Sequence, residues 1–280
     1  MSFGYQVLGF GSGGVALSYM EATGGTITTD GDYKVNTFTA NGNFIVTVGT
    51  EPTFGDQVEY LIVGGGGGGG ENFGGGGGGG GYRYNGAYDH TVTSQTYAVV
   101  VGARGAENTA GSLSSFDSLE SAGGGDGGDT NIGGPGGSGG GGACVPSGRA
   151  GGEGNQPETS PAQGTDGHAG IYVHGQGLPG GGGGGGGAAP TSPYWNGGAG
   201  AANDISGSSI YYSPGGGGHR QAGHGGSEGG YGGGGNLNGG DGDMGNTPTT
   251  KGAGGGGSGS PGYVSTNNVD GTVAFRYKFQ

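Results

Sequence analysis

Three stretches of this chain are glycine and nothing else: Gly64 to Gly70, Gly74 to Gly81 and Gly180 to Gly187. Such a run has no side chain to bury. It also loses more backbone entropy on folding than any other sequence, so neither α-helix nor β-strand is a favourable form for it. The remaining regular conformer is the left-handed polyproline II helix, with about three residues per turn and roughly 3.1 Å rise. That helix satisfies none of its own N–H and C=O groups, so they need water or neighbouring chains. Only glycine lets several such helices approach closely enough to bond one another. A lattice of polyglycine helices, held by backbone hydrogen bonds, is therefore the expected form of these runs.

Composition bears on two alternatives, collagen and a disordered chain. Glycine makes up 89 of 280 residues, but it is not spaced every third position and there are only 11 prolines, which excludes collagen. Leu, Ile, Val and Phe together number 39 and the net charge is −13, the composition of a disordered chain. Their distribution argues otherwise. Residues 1–120 hold 26 of the 39, residues 121–260 only 8, and the last twenty 5. A conventional front and a short conventional end enclose a glycine-dominated middle.

The front reads as β-structure. Asp30-Gly31 and Asn41-Gly42 favour tight hairpin turns, and they separate runs at Thr26–Thr29, Tyr33–Thr39 and Phe44–Val48. Alternation of Phe44, Val46 and Val48 buries one strand face, and a three-strand meander is expected. Further strands are expected at Gln57–Val63, Tyr97–Gly102 and Thr272–Phe279. The last, after the glycine-rich stretch, needs a sheet to join, and the front supplies it. The fold class is thus all-β with irregular structure, a small β-scaffold of hairpin meander plus C-terminal strand carrying a bundle of polyglycine (polyproline II) helices. Its parts are an N-terminal segment 1–20, a scaffold with the first glycine runs 21–120, the lattice 121–260 and a returning strand 261–280. Gly123–Gly128, Gly133–Gly142, Gly180–Gly187, Gly215–Gly218, Gly229–Gly235 and Gly252–Gly259 are the expected lattice helices. Tyr82 to His90, Pro190 to Asn196, Ile210 to Ser213 and His219 to His224 are the expected loops between them.

Three segments carry a resemblance. Glu21-Ala-Thr-Gly-Gly-Thr-Ile-Thr-Thr-Asp-Gly-Asp-Tyr-Lys-Val, Thr37-Phe-Thr-Ala-Asn-Gly-Asn-Phe and Val58-Glu-Tyr-Leu-Ile-Val precede the first glycine run. With Ser114-Ser-Phe and the closing Gly271-Thr-Val-Ala-Phe-Arg-Tyr-Lys-Phe, they resemble the glycine-rich module of bacteriophage tail-fibre and tail-tip proteins. The resemblance covers about residues 21–280. It implies a virion protein, assembled in the host cytoplasm, that partners other tail or fibre proteins and forms a homotrimer. It also implies that loops at the lattice ends contact a host cell-surface receptor. A purely structural fibre, neck or capsid-decoration protein is the alternative. Residues 1–20 lack the basic start and apolar core of a signal peptide. With Phe3, Tyr5, Val7, Leu8 and Phe10 among glycines, they are expected either to dock onto the particle or to form a scaffold strand.

Chemistry is sparse. Cys144 is the only cysteine, so neither an intrachain disulfide nor a cysteine-rich zinc site exists. His219 and His224 flank Arg220, and Asp126 with Asp129 faintly resembles a calcium repeat; neither brings a full ligand set. No metal, no cofactor and no enzyme activity are expected. With 8 basic against 21 acidic residues, nucleic acid is not an expected partner. Aromatic side chains supply rigid contact area with a polar handle. The candidate receptor contacts are therefore Tyr82, Tyr84, Tyr88, Tyr194, Trp195, Tyr211, Tyr212, His219 and Tyr231, with structural capping as the competing role.

Overall fold

The computed structural model describes residues 17–144, 147–171, 179–190, 195–219, 250–258 and 268–280. Among them are twelve strands and no helix: β1 (Glu21–Thr23), β2 (Thr26–Asp30), β3 (Tyr33–Phe38), β4 (Gly42–Thr47), β5 (Gln57–Val63), β6 (Tyr82–Thr91), β7 (Thr96–Val100), β8 (Ser114–Phe116), β9 (Leu119–Ser121), β10 (Ala201–Asn203), β11 (Ile210–Tyr212) and β12 (Thr272–Lys278). Two five-stranded antiparallel sheets, in the orders β1-β4-β7-β8-β9 and β2-β3-β12-β5-β6, form a sandwich. Alternation decides which residues meet inside it. Phe44 and Val46 of β4, Tyr97 and Val99 of β7 and Phe116 of β8 face Phe38, Tyr60, Ile62, Val273, Phe275 and Tyr277 of the other sheet. Phe44 stacks on Phe275 at 4.2 Å between ring centroids, and Phe116 lies 4.3 Å from Phe275.

All six expected strands are present, including β12, which sits between β3 and β5 in the middle of its sheet. The meander is corrected. β3 pairs with β2, but β4 pairs with β1 and β7 in the opposite sheet. Residues 39–41 therefore carry the chain across the core, not around a hairpin. Phe38 and Phe44 consequently meet edge-on at 6.4 Å from opposite sheets, which buries both rings. Two of the expected loops are strands. Tyr82 to His90 lies in β6, and Ile210 to Ser213 begins with β11, whose hairpin with β10 covers the outer face of the β12 sheet. There Ile205 and Tyr212 pack on Leu61, Val63 and Ala274.

The glycine runs leave the sandwich as continuations of its strands. Gly64–Gly70 extends β5 and Gly74–Gly81 leads back into β6. The N–H groups of Gly64, Gly67 and Gly70 bond the carbonyls of Gly81, Gly78 and Gly75 at 2.9–3.0 Å. From the returning run, Gly75, Gly78 and Gly81 donate to Gly128, Gly125 and Ala122. Gly74, Gly77 and Gly80 donate to Ser258, Gly255 and Gly252, and Gly76 and Gly79 to Gly181 and Gly184. The carbonyls of Gly76 and Gly79 accept from Gly141 and Ser138, and those of Gly74 and Gly77 from His219 and Gly216. Each neighbour is met at every third residue. A strand repeats every two residues and would bond in one plane only; three residues per turn is the period of the polyproline II helix. On that period we read these segments as extended threads. The run 74–81 has six around it, a hexagonal packing.

Glycine is required here by contact, not by turning. A Cβ on Gly64, Gly67 or Gly70 would fall within 3.0 Å of the carbonyls of Ala122, Gly125 or Gly128. On Gly65 or Gly68 it would meet Ala103 or Ala106, and on Gly66 or Gly69, Ala253 or Gly256. Every face of the run abuts backbone.

Candidate functional site

The sequence candidates divide between the two ends of the molecule. At the sandwich end, the chain of β6 places Tyr82 and Tyr84 on the outer sheet face, partly buried against Leu61, Val63 and the β10–β11 hairpin. Asn203 Nδ2 donates to the Tyr82 hydroxyl at 3.0 Å, and burial raises that phenol above its ordinary value. The Tyr84 hydroxyl donates to Glu59 Oε1, and burial followed by that carboxylate raises its pKa as well. Tyr88 packs on Tyr33 at 5.5 Å and Phe54 at 6.1 Å, and burial raises its pKa. Tyr211 is half-buried in β11. Tyr212 is corrected as a receptor contact: at 4% exposure it belongs to the second core cluster.

A charged cluster binds this face together. Glu59 is 2% exposed in β5. Its Oε2 lies 3.7 Å from Arg276 Nη1, and Arg276 Nη2 reaches Asp30 Oδ2 at 2.8 Å. The guanidinium also sits 4.4 Å above the Tyr33 ring. A lone acid in an apolar run, Val58-Glu-Tyr-Leu-Ile-Val, facing one arginine in an otherwise alternating C-terminal strand, was the available sequence signal for this pair.

At the far end lies the tip. From Gly64 to Gly70 the thread advances about 19 Å on a rise of roughly 3.1 Å per residue, and there it turns through Glu71, Asn72 and Phe73. Asn72 and Phe73 both have positive φ, 50° and 61°. Neighbouring turns gather against it. Glu71 N donates to Asn108 Oδ1 at 3.3 Å and Asn72 Nδ2 to Asp129 Oδ1 at 2.7 Å. The Cys144 N–H meets the Phe73 carbonyl at 3.2 Å, and Arg149 Nε meets the Thr130 carbonyl at 3.2 Å. The Phe73 ring stands edge-on to His219 at 5.1 Å. Trp195 is half-buried here, its carbonyl accepting from Gly218 N–H at 2.8 Å. His219, only 2% exposed, is corrected to a packing residue under the tip. The tip presents Asn108, Thr130, Asn131 and Ile132 to solvent, Ile132 at 62% exposure. Composition hid these residues, because none is aromatic. Tyr194, Tyr231 and residues 1–16 lie outside the described residues.

A third feature lies at the open edge of the sandwich, where β6 and β9 close the two sheets. Arg83 spans them, donating Nη1 to the Glu120 carbonyl at 3.0 Å. Residues 155–163 fold over this edge. Asn155 Oδ1 accepts from Thr159 N, Thr159 Oγ1 and Gln163 N at 3.0–3.1 Å, and Gln163 is anchored through its Oε1 to Ala122 N at 2.8 Å. On one side of the overhang is a cleft of about 400 Å³, on the other a cleft of about 220 Å³, and Arg83 lines both.

A family model for a glycine-rich domain matches residues 39–278. The chain belongs to that family. No curated protein and no solved structure matches it.

In this glycine-rich domain no group of three or more His, Cys, Asp or Glu residues converges on a metal-sized site among the described residues. Asp126 is held in the lattice beside Gly134 rather than paired with Asp129, and burial raises its pKa. Cys144 is fully buried beneath the tip, and burial pushes its thiol up to about 12.

Proposed function

We propose that this glycine-rich domain is a structural protein of a bacteriophage particle and that its lattice tip meets the host cell surface. The observation that supports this most is the gathering of the turns Glu71–Phe73, 106–109 and 129–132 on one exposed face, at the end of the threads remote from the sandwich. Because the lattice is held through backbone groups, it does not call on the exposed side chains of Thr130, Asn131 and Ile132, which stand ready for recognition. The motif order shared with phage tail-fibre and tail-tip modules points the same way. A trimer at the end of a fibre, with other tail proteins bound at the sandwich end, is the assembly this reading implies.

Immunogold electron microscopy of virions, with antibody to the recombinant protein, is the first test. Label confined to a tail or fibre tip supports the adhesin. The tip residues are then tested directly. Asn131→Arg with Ile132→Glu should abolish binding of the labelled protein to host cells while leaving the unfolding temperature unchanged; retained binding removes the tip from the site. A second reading, a fibre, neck or capsid component without receptor contact, is favoured by the use of Tyr82, Tyr84 and Tyr212 as packing residues. Label along a shaft, neck or capsid would establish it.

A further inference from the structure

The geometry points to the larger cleft beside Arg83 as a binding site for a carboxylate-bearing saccharide, a sugar ring of the uronic- or sialic-acid type. The site stands at the sandwich edge, remote from the tip, and does not depend on the adhesin reading. Its volume, about 400 Å³, falls within the ~300–1,000 Å³ typical of small-molecule sites. Arg83, Tyr84 and Gly86 of β6, the edge of Tyr60 in β5, and Ser160 and Pro161 of the overhang line it.

Three features select the ligand class. The first is charge. In a chain of net charge −13, the ion pairs among the described residues are those of Arg276. Among the described residues, the Arg83 side chain bonds only a backbone carbonyl. Arg83 lines both clefts, and a guanidinium fork matches a carboxylate in a bidentate pair. No acidic side chain lines the larger cleft, whereas Glu120 lines the smaller one, so an anion is accommodated in the larger. The second is surface. Aromatic and proline faces suit the C–H face of a sugar ring, and the Ser160 hydroxyl and the chain at Gly86 are placed for its hydroxyls. A polyphosphate has no C–H face to lay on these surfaces, and a nucleic acid would meet the repulsion of the acidic surface along its whole length. The third is order. Asn155 and Gln163 tie the overhang to itself and to Ala122, so the wall is in place before a ligand arrives, which lowers the cost of binding.

The test uses the full chain and titrates it with glucuronate, sialic acid and trigalacturonate, with glucose and galactotriose as neutral controls, by isothermal calorimetry and ligand-observed NMR. At least one acidic probe should bind, with affinity falling as salt rises, and the neutral sugars should bind at least tenfold more weakly. Arg83→Gln should weaken the acidic probe at least tenfold. Ser160→Tyr, at an exposed position, should do so by filling the cleft without touching Arg83, and it decides the matter should Arg83→Gln unfold the protein. Glu120→Gln should leave binding within twofold. Absence of binding by every acidic probe at 10 mM on the order of weak small-ligand affinities overturns the proposal. So does equal binding of the neutral sugars, or binding unchanged in Ser160→Tyr. None of these failures touches the tip, whose test is cell binding.

Discussion

Replacing Gly67 by alanine should be far more damaging than a single methyl group usually is. Gly67 donates its N–H to Gly78 and accepts from Gly255. A Cβ there would overlap the carbonyl of Gly125 within 3.0 Å, and that oxygen is itself bonded by Gly78 N–H. The obstruction is backbone, so no rotamer change relieves it. Overpacking a tight interior costs about 1–3 kcal/mol, and each of the two disturbed hydrogen bonds adds about 1 kcal/mol. The stiffer unfolded chain returns about 0.4–1 kcal/mol. The net loss is about 2–4.6 kcal/mol, a fall in melting temperature on the order of 10 °C for a chain of this size. Gly186 is the comparison, since a Cβ there meets the Cβ atoms of Tyr82 and Ser213 at 3.0–3.1 Å, a tight contact rather than an overlap with backbone; Gly186→Ala should cost about 1 kcal/mol. Thermal unfolding followed by near-ultraviolet circular dichroism measures both. Extending the scan through Gly64–Gly70 should find every position intolerant, since all three faces abut a thread. A Gly67→Ala protein that melts within about 2 °C of the parent, or a scan tolerant at alternate residues, would refute the close-packed lattice.

Three further outcomes follow from the scaffold. Arg276→Met leaves Glu59 charged, buried and without its cation, and should cost about 3–5 kcal/mol, whereas Asp30→Asn loses only the better solvated pair and should cost under about 1 kcal/mol; equal losses in denaturant unfolding would contradict the ranking. His90 packs edge-on to Tyr60 and Phe116 at 5.3 and 5.7 Å, and burial holds its pKa below the usual value. The unfolded chain therefore takes up the proton first, so stability is full above about pH 6.5 and declines as pH falls through that value towards the lower folded one. His90→Gln should remove that slope from the difference between the two stability–pH profiles. Cys144, buried with its thiol raised to about 12, should resist a thiol reagent at pH 8 in the native protein and react fully in guanidinium; rapid native labelling would place it at the surface.

What could be read from the sequence depended on whether the signal was local. Strand β12 announces itself by the alternation of Val273, Phe275 and Tyr277, and its need for a sheet is a local inference. Where β4 goes is not local. Asn41-Gly42 suits a hairpin, and nothing within ten residues shows that Phe44 is needed opposite Phe38 and Phe275 rather than beside β3. The short strands β8 to β11 escaped for a related reason. At three residues each, they have no room to show a period. For the candidate contacts, residue type misled: a tyrosine after a glycine run reads as a loop aromatic, yet Tyr82 and Tyr84 follow the thread directly into the edge strand of a sheet.

The same geometry explains why thread and sandwich belong in one chain. A thread has no side chains with which to find its register, and hydrogen bonding alone leaves a glycine run free to slip by three residues, one full turn, with every bond re-formed. A strand is different, because a slip exposes its buried face. Each run therefore gains its register from what it is joined to. Gly64–Gly70 and Gly74–Gly81 are fixed by β5 and β6, and Gly123 onward by β9, whose residues are set by the core. Residues within the lattice add further stops: Gln163 holds Ala122, Ser213 Oγ donates to the Gly80 carbonyl, and Asn268 Nδ2 donates to Gly66 at 3.1 Å and Gly105 at 2.6 Å. The sandwich is thus the device that tells an otherwise uniform lattice where each thread begins, and so where each tip turn ends.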